Sequence, residues 1–315
     1  MLKHELSWSA SRAREFERCR RENWYARYLS WNWWGEEPRG EKYKAMVLKQ
    51  LGSIPAFAGT CVHNALEKWF QHKQAGTDMS QEELFEESRE LFREGWRESS
   101  TDAWKTRPNK LTHLEEHHFG LEVSKERTDR VRQLFEICAD NFFNLPALEP
   151  VRKAHPDTWR AVEALDSYQF MGVKVYAVPD FAYMSGEETV HIWDWKTGRQ
   201  REEDNFQLLT YALYACEKWG IEPENIRLYA AYLAVGEVKE IPVTLEKLSE
   251  TQDAMSNSLR EMRDIHYNPD EDEVVMEDWP TSGAPKECPR CKFREICEGA
   301  DALTNNKSES IQQSC

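Results

Sequence analysis

Two aspartates and a lysine in the middle of the chain have residue types and spacing suited to metal-dependent chemistry. Asp180 ends one segment of alternating residues, and Asp194-Trp195-Lys196 lies in the next. Because side chains alternate along a strand, Asp194 and Lys196 are expected on one face, about 6.6 Å apart along the strand, and Trp195 on the other. Neighbouring carboxylates repel each other unless a cation neutralises them, and Mg²⁺ or Mn²⁺ prefers such oxygen ligands. A metal held there would polarise a phosphoryl oxygen and activate water, with the lysine steering that water.

The same residues also fit a simpler interpretation. An aspartate and a lysine two positions apart usually form a solvent-exposed ion pair on an edge strand, which contributes about 0–1 kcal/mol to stability and has no catalytic role. The choice between the two interpretations depends on the motifs that accompany the pair.

Three cysteines near the carboxyl end have the spacing of metal ligands. Cys288, Cys291 and Cys297 form the pattern C-x2-C-x5-C. Three thiolates leave a four-coordinate site one ligand short, and Cys19, in the arginine-rich segment FERCRRENWYARYL, is the natural fourth ligand. The pattern therefore predicts a metal centre that joins the two ends of the chain.

Composition limits the classes of protein to which the chain can belong. The 315 residues are 40% hydrophobic and 31% charged, which excludes global disorder and a membrane-embedded chain. With 41 Lys and Arg against 56 Asp and Glu, the net charge is −15, so nucleic acid must meet a local basic patch. The sequence has no signal-peptide core and no run of about 18 or more apolar residues. We therefore expect a cytoplasmic protein with no membrane partner, whose cysteines stay reduced.

The hydrophobic pattern changes from helical to strand-like near Pro150. Before it, apolar residues recur at helical spacing over 56–74, and Ser80 with Glu83 and Thr112 with Glu115 form capping-box patterns ahead of further helices. After it, the pattern predicts strands over 159–170, 173–184 and 189–196 in an antiparallel meander, a helix over 203–219, a strand over 226–234 and a helix over 245–265.

Arginines alternate with aromatic residues over 7–34, from Trp8 to Trp34. Such a mixture is typical of a groove that binds a single nucleic-acid strand. It equally fits an amphipathic helix that packs its rings into the core. Both can hold at once, and we expect Arg20 and Arg21, beside Cys19, to line a channel for the strand.

Five short motifs occur in a fixed order: Gly59-Thr60-Cys61-Val62-His63, Glu163, Val178-Pro179-Asp180, Asp194-Trp195-Lys196 and Gln207-Leu208-Leu209-Thr210-Tyr211. In this order, over residues 57–235, they resemble the PD-(D/E)XK nuclease superfamily, specifically its RecB-like branch. Each motif alone is weak, whereas the ordered set at matching secondary-structure positions is specific. The resemblance implies an α/β fold in which helices flank a central mixed sheet, with a helical insertion between His63 and the first core strand.

The resemblance also implies roles for the motif residues. It makes His63, Asp180 and Asp194 metal ligands, together with the main-chain carbonyl of Trp195, and it makes Lys196 the catalytic lysine. Gln207 and Tyr211 lie one helical turn apart and would support the site or touch DNA. Glu163 would bind the metal or a water molecule, or else be an ordinary charged strand residue.

One cysteine before the nuclease core and three after it resemble the iron-sulfur subgroup that includes AddB-type and CRISPR-associated RecB-like nucleases. That likeness implies a [4Fe-4S] cluster bound by Cys19, Cys288, Cys291 and Cys297, which would act as an iron-sulfur clasp between the N- and C-terminal segments. Zinc is the alternative, since four thiolates also make a closed tetrahedral site.

The implied function is a metal-dependent DNA nuclease that hydrolyses phosphodiester bonds with Mg²⁺ or Mn²⁺. A single-stranded DNA exonuclease of 5′–3′ polarity, acting in recombination, repair or CRISPR adaptation, is favoured. The sequence has no G-x-x-x-x-G-K-[ST] loop, so a separate helicase or recombination or CRISPR protein would supply unwinding. The alternative is a non-catalytic DNA-binding or scaffold subunit that keeps the nuclease fold.

We expect the chain to divide into parts that follow these motifs. The parts are an N-terminal helical segment with the first cluster cysteine (1–55), a helical part carrying His63 (56–150), the nuclease core (151–265), a C-terminal cluster-binding segment (266–299) and a disordered tail (300–315).

Overall fold

Two mixed β-sheets organise the chain in the computed structural model, which describes residues 3–35, 40–163 and 165–299. The strands within these ranges are β1 (Ser7–Trp8), β2 (Trp159–Val162), β3 (Asp166–Phe170), β4 (Val173–Ala177), β5 (Phe181–Ser185), β6 (Thr189–Lys196), β7 (Ile226–Tyr232) and β8 (Glu237–Ile241). The larger sheet has the order β2-β5-β6-β7-β8, and the smaller has the order β1-β4-β3. In the larger sheet β6 and β7 run parallel and the other neighbours antiparallel.

The predicted three-strand meander is wrong in one respect, because its first two strands are each broken in two. The segment 159–170 divides at Glu163, whose φ of 44° is left-handed and ends the extended β2. The segment 173–184 divides at Pro179, which has no N–H to continue a ladder. Each break moves the chain from one sheet to the other. The edge strand β8 was also not predicted.

Ten α-helices occur in the described part of the chain. They are α1 (Ala10–Arg18), α2 (Arg20–Trp24), α3 (Glu41–Gln50), α4 (Ile54–Gln74), α5 (Gln81–Ser100), α6 (Glu115–His118), α7 (Lys125–Asn144), α8 (Glu149–Lys153), α9 (Glu202–Tyr214) and α10 (Leu245–Asp264). None of them is both long enough and apolar enough to cross a membrane.

Two capping predictions have different outcomes. The reciprocal hydrogen bonds of Ser80 and Glu83 form at the start of α5, as the capping box requires. The Thr112–Glu115 prediction is wrong, because the long helix begins at Lys125, where the Ser124 side chain accepts a hydrogen bond from the Arg127 N–H. A serine directly before the helical pattern therefore caps it, and the more distant threonine does not.

Helices cover both faces of the larger sheet, which confirms the mixed α/β class. On β6, Ile192 belongs to a core with α9 and α10, whereas Trp193 and Trp195 belong to a core with α4, α5 and α7. This alternation is the period-two pattern that the sequence predicts for β6.

The N-terminal segment packs against the C-terminal segment. Arg21 is 5% exposed, and its guanidinium donates to the carbonyl of Trp279 and pairs with Glu298. The Tyr25 hydroxyl donates to the carbonyl of Ile296. Most of the aromatic rings over 7–34 are core residues. Because Arg21 is buried in the contacts described above, it is a structural residue and does not line a DNA channel. The predicted tail, 300–315, lies outside the described residues.

Two buried histidines make stability depend on pH. Burial lowers the pKa of His113 to about 3 and that of His4 to about 4. Both are therefore neutral in the folded chain, while the same side chains in the unfolded chain take up protons as the pH falls below about 6.5, so the contribution of these two histidines to folding stability is lost from near neutral pH downward. At pH 5.5 each histidine should lower the free energy of unfolding by about 1.4 kcal/mol relative to pH 7.5.

Urea unfolding at the two pH values tests this expectation. Between pH 7.5 and pH 5.5, the free energy of unfolding of His113→Gln should change by about 1.4 kcal/mol less in the unfavourable direction than that of the unsubstituted protein, whereas the exposed control His155→Gln should change as the unsubstituted protein does. Equal pH dependence in His113→Gln and in the unsubstituted protein would contradict the assignment.

Candidate functional site

One cavity of about 1140 Å³ is lined by every core residue to which the resemblance assigns a catalytic or metal-binding role. These residues are His63, Glu163, Asp180, Asp194, Trp195, Lys196, Gln207 and Tyr211. They come from α4, the end of β2, the residue before β5, β6 and α9. Motifs that are far apart along the chain therefore line one cavity, which we name the acidic cavity.

His63, Glu163 and Asp180 form a compact group in the lining of the acidic cavity. The His63 Nδ1 lies 3.1 Å from Glu163 Oε1 and 3.4 Å from Asp180 Oδ1. One ligand atom from each of the three lies within 4.8 Å of the others, and within the described ranges no other His, Cys, Asp or Glu group has this spacing. Although burial opposes it, the carboxylates of Asp180 and Glu163 raise the pKa of His63 well above its usual value.

Asp194 and Lys196 form a second group with two residues of α9. The Lys196 Nζ lies 2.5 Å from Asp194 Oδ2 and donates to Gln207 Oε1 at 3.2 Å. The Gln207 amide in turn donates to the Tyr211 hydroxyl at 2.6 Å and to Asp194 Oδ1 at 3.4 Å. Gln207 therefore fixes the positions of Lys196 and Asp194 by hydrogen bonds, and its hydrogen bond to Tyr211 fixes its own position.

Backbone contacts connect the two groups. The carboxylate of Asp180 accepts a hydrogen bond from the N–H of Trp195, and the Asp180 carbonyl accepts one from the N–H of Glu163 at 3.0 Å. The indole of Trp195 is 1% exposed and lies parallel to the Phe70 ring of α4. Since this ring is anchored in the core, Asp194 and Lys196 must point from β6 toward α9.

Steric constraints explain why position 59, the first of the Gly59–His63 motif, is a glycine. A Cβ atom at Gly59 would lie 2.8 Å from Thr197 Oγ1, closer than such atoms come in proteins. Glycine therefore lets α4 approach the turn after β6. That approach brings His63, one helical turn further along the same helix, to Asp180.

The arrangement of carboxylates fits a cation. Asp180 is 6% exposed and Asp194 is 2% exposed. Burial, followed by the charge of Asp180, raises the pKa of Asp194. Within the described part of the chain, the Asp194 Oδ2 makes no hydrogen bond of good geometry, and its one partner there is Lys196, with which it forms an ion pair. Buried carboxylates that repel each other, beside an imidazole nitrogen, are the donor set that a divalent cation neutralises.

Sequence reasoning missed Asp204, on the first turn of α9. Its Oδ1 lies 3.9 Å from Lys196 Nζ, and its Oδ2 accepts from the Tyr232 hydroxyl at 2.9 Å and from the Arg201 N–H at 2.9 Å. The available signal was an aspartate at the third position of a helix, where it caps the backbone. Asp204 therefore adds a further negative charge near the lysine.

Four cysteines line a separate cavity of about 640 Å³, which we name the cysteine cavity. They are the predicted ligands Cys19, Cys288, Cys291 and Cys297. Burial raises the pKa of Cys291 to about 12, with smaller contributions from Glu22, Cys297 and Cys19. Among the described residues the four sulfurs do not form a compact ligand group. The donor set suits a thiolate-bound centre, and metal binding would require the thiols to lose their protons.

Comparison with known proteins identifies the family to which the chain belongs. A family model described as the PD-(D/E)XK nuclease superfamily matches residues 7–298. No curated protein matches the sequence. Among solved structures, the crystal structure of SSO0001 matches with 14% sequence identity and a TM-score of 0.28, over 59% of this chain and 92% of that chain. A likeness this distant carries no argument about fold or function.

Proposed function

Since the chain belongs to the PD-(D/E)XK nuclease superfamily, whose members are metal-dependent nucleases, we propose that it hydrolyses phosphodiester bonds of DNA in the acidic cavity. The observation that carries the proposal is the convergence of His63, Glu163, Asp180 and the Asp194–Lys196 pair on that one cavity. Isolated surface ion pairs do not collect further carboxylates and a histidine around them.

His63 and Asp180 would hold a divalent cation, Mg²⁺ or Mn²⁺, with Asp194, the carbonyl of Trp195 and Glu163 as further oxygen ligands. Such a cation supplies Lewis-acid stabilisation of the phosphoryl oxygen and lowers the pKa of a bound water. The carboxylate oxygen of Glu163 lies beside His63 and Asp180. Its proximity supports a role as a metal or water ligand.

Lys196 would act on the attacking water. Its ammonium is held between Asp194 and Gln207, so the side chain is already oriented toward the acidic cavity. A positioned ammonium can orient a water molecule and stabilise the negative charge that develops on the phosphate. Gln207 and Tyr211 would be positioning residues, because they act through Lys196 and Asp194. In-line attack would form a bond between the water oxygen and phosphorus and break the bond from phosphorus to the 3′ oxygen. The water gives up a proton and the departing 3′ oxygen takes one up, which leaves 5′-phosphate and 3′-hydroxyl ends.

Arginines around the acidic cavity support a polyanionic substrate. Arg12 and Arg14 of α1 line the cavity, as do the exposed Arg199 and Arg201 after β6. In a chain of net charge −15, this local basic lining is where DNA phosphates would be attracted. Preference for single-stranded DNA, exonucleolytic 5′–3′ action, a cytoplasmic location and a separate helicase, recombination or CRISPR partner rest on the RecB-like resemblance, and remain part of the proposal.

The cysteine cavity would hold a [4Fe-4S] cluster with Cys19, Cys288, Cys291 and Cys297 as ligands, and zinc is the competing centre. Its role would be structural, because it would reinforce the packing of Arg21 and Tyr25 against the C-terminal segment. The division of the chain at 55, 150, 265 and 299 follows the same scheme and remains a prediction.

Metal removal tests the nuclease proposal directly. Protein treated with EDTA should show no cleavage of labelled single-stranded or duplex DNA, and added Mn²⁺ or Mg²⁺ should restore it. His63→Gln should weaken the activation by metal, measured as the Mn²⁺ concentration for half-maximal rate, by about 10-fold or more. Its matched control is His72→Gln, near the exposed end of the same helix.

Two outcomes would contradict the proposal. Cleavage that persists in EDTA would exclude a required divalent cation. DNA binding without cleavage under any metal would favour the non-catalytic scaffold subunit.

A further inference from the structure

A second cavity, of about 590 Å³, lies beside the acidic cavity and shares Arg12 and Tyr176 with it. We name it the basic cavity. Its cationic lining residues are Lys3, Arg12, Arg27, Lys49 and Lys174. They come from the N-terminal segment, α1, the π-helical turn Tyr25–Leu29, α3 and β4, so tertiary packing alone brings them together.

The positive charges in the basic cavity are poorly balanced. Among the described residues that line it, Glu5 is the one carboxylate. Glu15, which does not line the cavity, pairs with Arg27 at 3.4 Å, and its negative charge also partly offsets the charges of Arg12 and Lys49. Within residues 3–35, 40–163 and 165–299, no ion pair is formed by Arg12, Lys49 or Lys174. This is unexpected in a chain with 56 acidic residues, where a basic side chain readily finds a carboxylate.

Burial makes this imbalance unfavourable in the absence of an anion. Burial, followed by the charges of Arg27 and Arg12, lowers the pKa of Lys49 to about 8. Burial and Arg27 also lower the pKa of Arg12 to about 10. The Arg27 Nε is buried and has no hydrogen-bond partner among the residues that the structure describes. Burying cations that repel one another costs free energy, and an anion that binds between them offsets this cost.

The wall between the two cavities is also basic. Arg12 donates to Ser7 Oγ, and its guanidinium lies over the Tyr176 ring at 5.4 Å from the ring centroid. Because Arg12 is held in the wall by these contacts, a polyanion in the acidic cavity can continue past it into the basic cavity. Guanidinium and ammonium groups both bind phosphoryl oxygens strongly.

We propose that the basic cavity binds the terminal phosphate of a nucleic-acid strand whose scissile bond lies in the acidic cavity. The inference deepens the proposed function and rests on it for the identity of the strand. Its geometry is independent of the metal ligands. The same chemistry could come from two sources, the terminal phosphate of the strand or the phosphate of a free mononucleotide.

Fluorescence anisotropy in EDTA separates the sources, because no cleavage then occurs. Single-stranded oligonucleotides with a 5′-phosphate, a 3′-phosphate or no terminal phosphate should be compared. We expect the unsubstituted protein to bind one phosphorylated form about 10-fold more tightly than the unphosphorylated one. In Lys49→Met and Lys174→Met this preference should fall toward 1-fold, and the slope of log affinity against log salt should decrease by about 1.

Lys239→Met is the matched control, because Lys239 is half-buried on the edge strand β8 and lines neither cavity. It should keep the preference. The two test variants differ in element, α3 and β4, so a folding defect in one leaves the other informative. Melting temperature with inorganic phosphate or dAMP gives a second measurement, in which the ligand should stabilise the unsubstituted protein more than either test variant.

Each outcome has one interpretation. Stabilisation by phosphate or dAMP without any preference among the oligonucleotides would identify a free mononucleotide as the occupant. No preference and no stabilisation, or equal losses in Lys239→Met and the test variants, would overturn the inference. Cleavage of the unphosphorylated oligonucleotide with Mn²⁺ is measured separately, so failure of the nuclease proposal is distinguishable from failure of this one.

Discussion

Replacing Asp194 with asparagine is expected to lower the rate of DNA cleavage by about 10³-fold or more, while DNA binding changes little. The substitution removes the charge that Lys196 meets at 2.5 Å and that a cation would require. It keeps an oxygen that can accept from the Gln207 amide. The effect should therefore be confined to chemistry.

Asp194→Asn should lower the cleavage rate without lowering the stability of the fold. Burial and Asp180 raise the pKa of Asp194, which means that its negative charge is unfavourable in the folded chain without a cation. Asp194→Asn should accordingly melt at the same or a higher temperature than the unsubstituted protein in EDTA. A residue that merely supported the fold would instead lower the melting temperature when replaced.

Asp166→Asn is the matched control for Asp194→Asn. Asp166 lies on β3 in the smaller sheet, pairs with Lys218 and accepts from Tyr214, and does not line the acidic cavity. Its replacement should leave the cleavage rate unchanged. Cleavage by Asp194→Asn at the unsubstituted rate would refute the catalytic assignment.

The proposed cluster leads to the expectation that protein carrying Cys291→Ser contains no iron and is less stable than the unsubstituted protein by about 4–5 kcal/mol. Cys291 lines the cysteine cavity with Cys19, whose position is near the other end of the chain. A centre bound by both closes a very long loop, so it lowers the entropy of the unfolded chain. Protein purified anaerobically should be brown, with absorbance near 400 nm, and Cys291→Ser should be colourless.

Cys216→Ser is the control for the cysteine cavity. Cys216 lies on the π-helical turn Ala215–Trp219 and lines none of the three cavities, so its replacement should keep the iron content and the colour. Metal analysis distinguishes the competing centres. Stoichiometric zinc without iron would show that the centre is a zinc site and not a cluster. Protein that contains neither zinc nor iron would refute a thiolate-bound centre.

Local patterns predicted much of the secondary structure because they depend on neighbours in the chain. The helical spacing over 56–74 corresponds to α4, and the capping box at Ser80 starts α5. The alternation over 189–196 places Trp195 in the core and Asp194 and Lys196 at the acidic cavity. The breaks at Glu163 and Pro179 were missed, since alternation reports which face a residue occupies but not which sheet its strand joins.

The candidate site was predictable to the extent that its residues form recognisable motifs. His63, Asp180 and the Asp194–Lys196 pair were found because their order along the chain matches a family. Asp204 carried no motif, and its approach to Lys196 results from the packing of α9 on β7, the neighbour of β6 in the sheet. Similarly, Arg21 was expected to contact DNA, but its burial against the C-terminal segment depends on a contact between distant parts of the chain.

Residue types, order and periodicity by themselves determined the α/β class, the membership of the nuclease superfamily and the set of residues that could bind a cation. Only the tertiary structure decided that one ligand atom from each of His63, Glu163 and Asp180 lies within 4.8 Å of the others. It also decided that Arg12, Lys49 and Lys174 surround a neighbouring cavity and form no ion pair within the described part of the chain. The reason is that periodicity arises from local backbone geometry, whereas charge balance depends on which distant segments the packed core brings together.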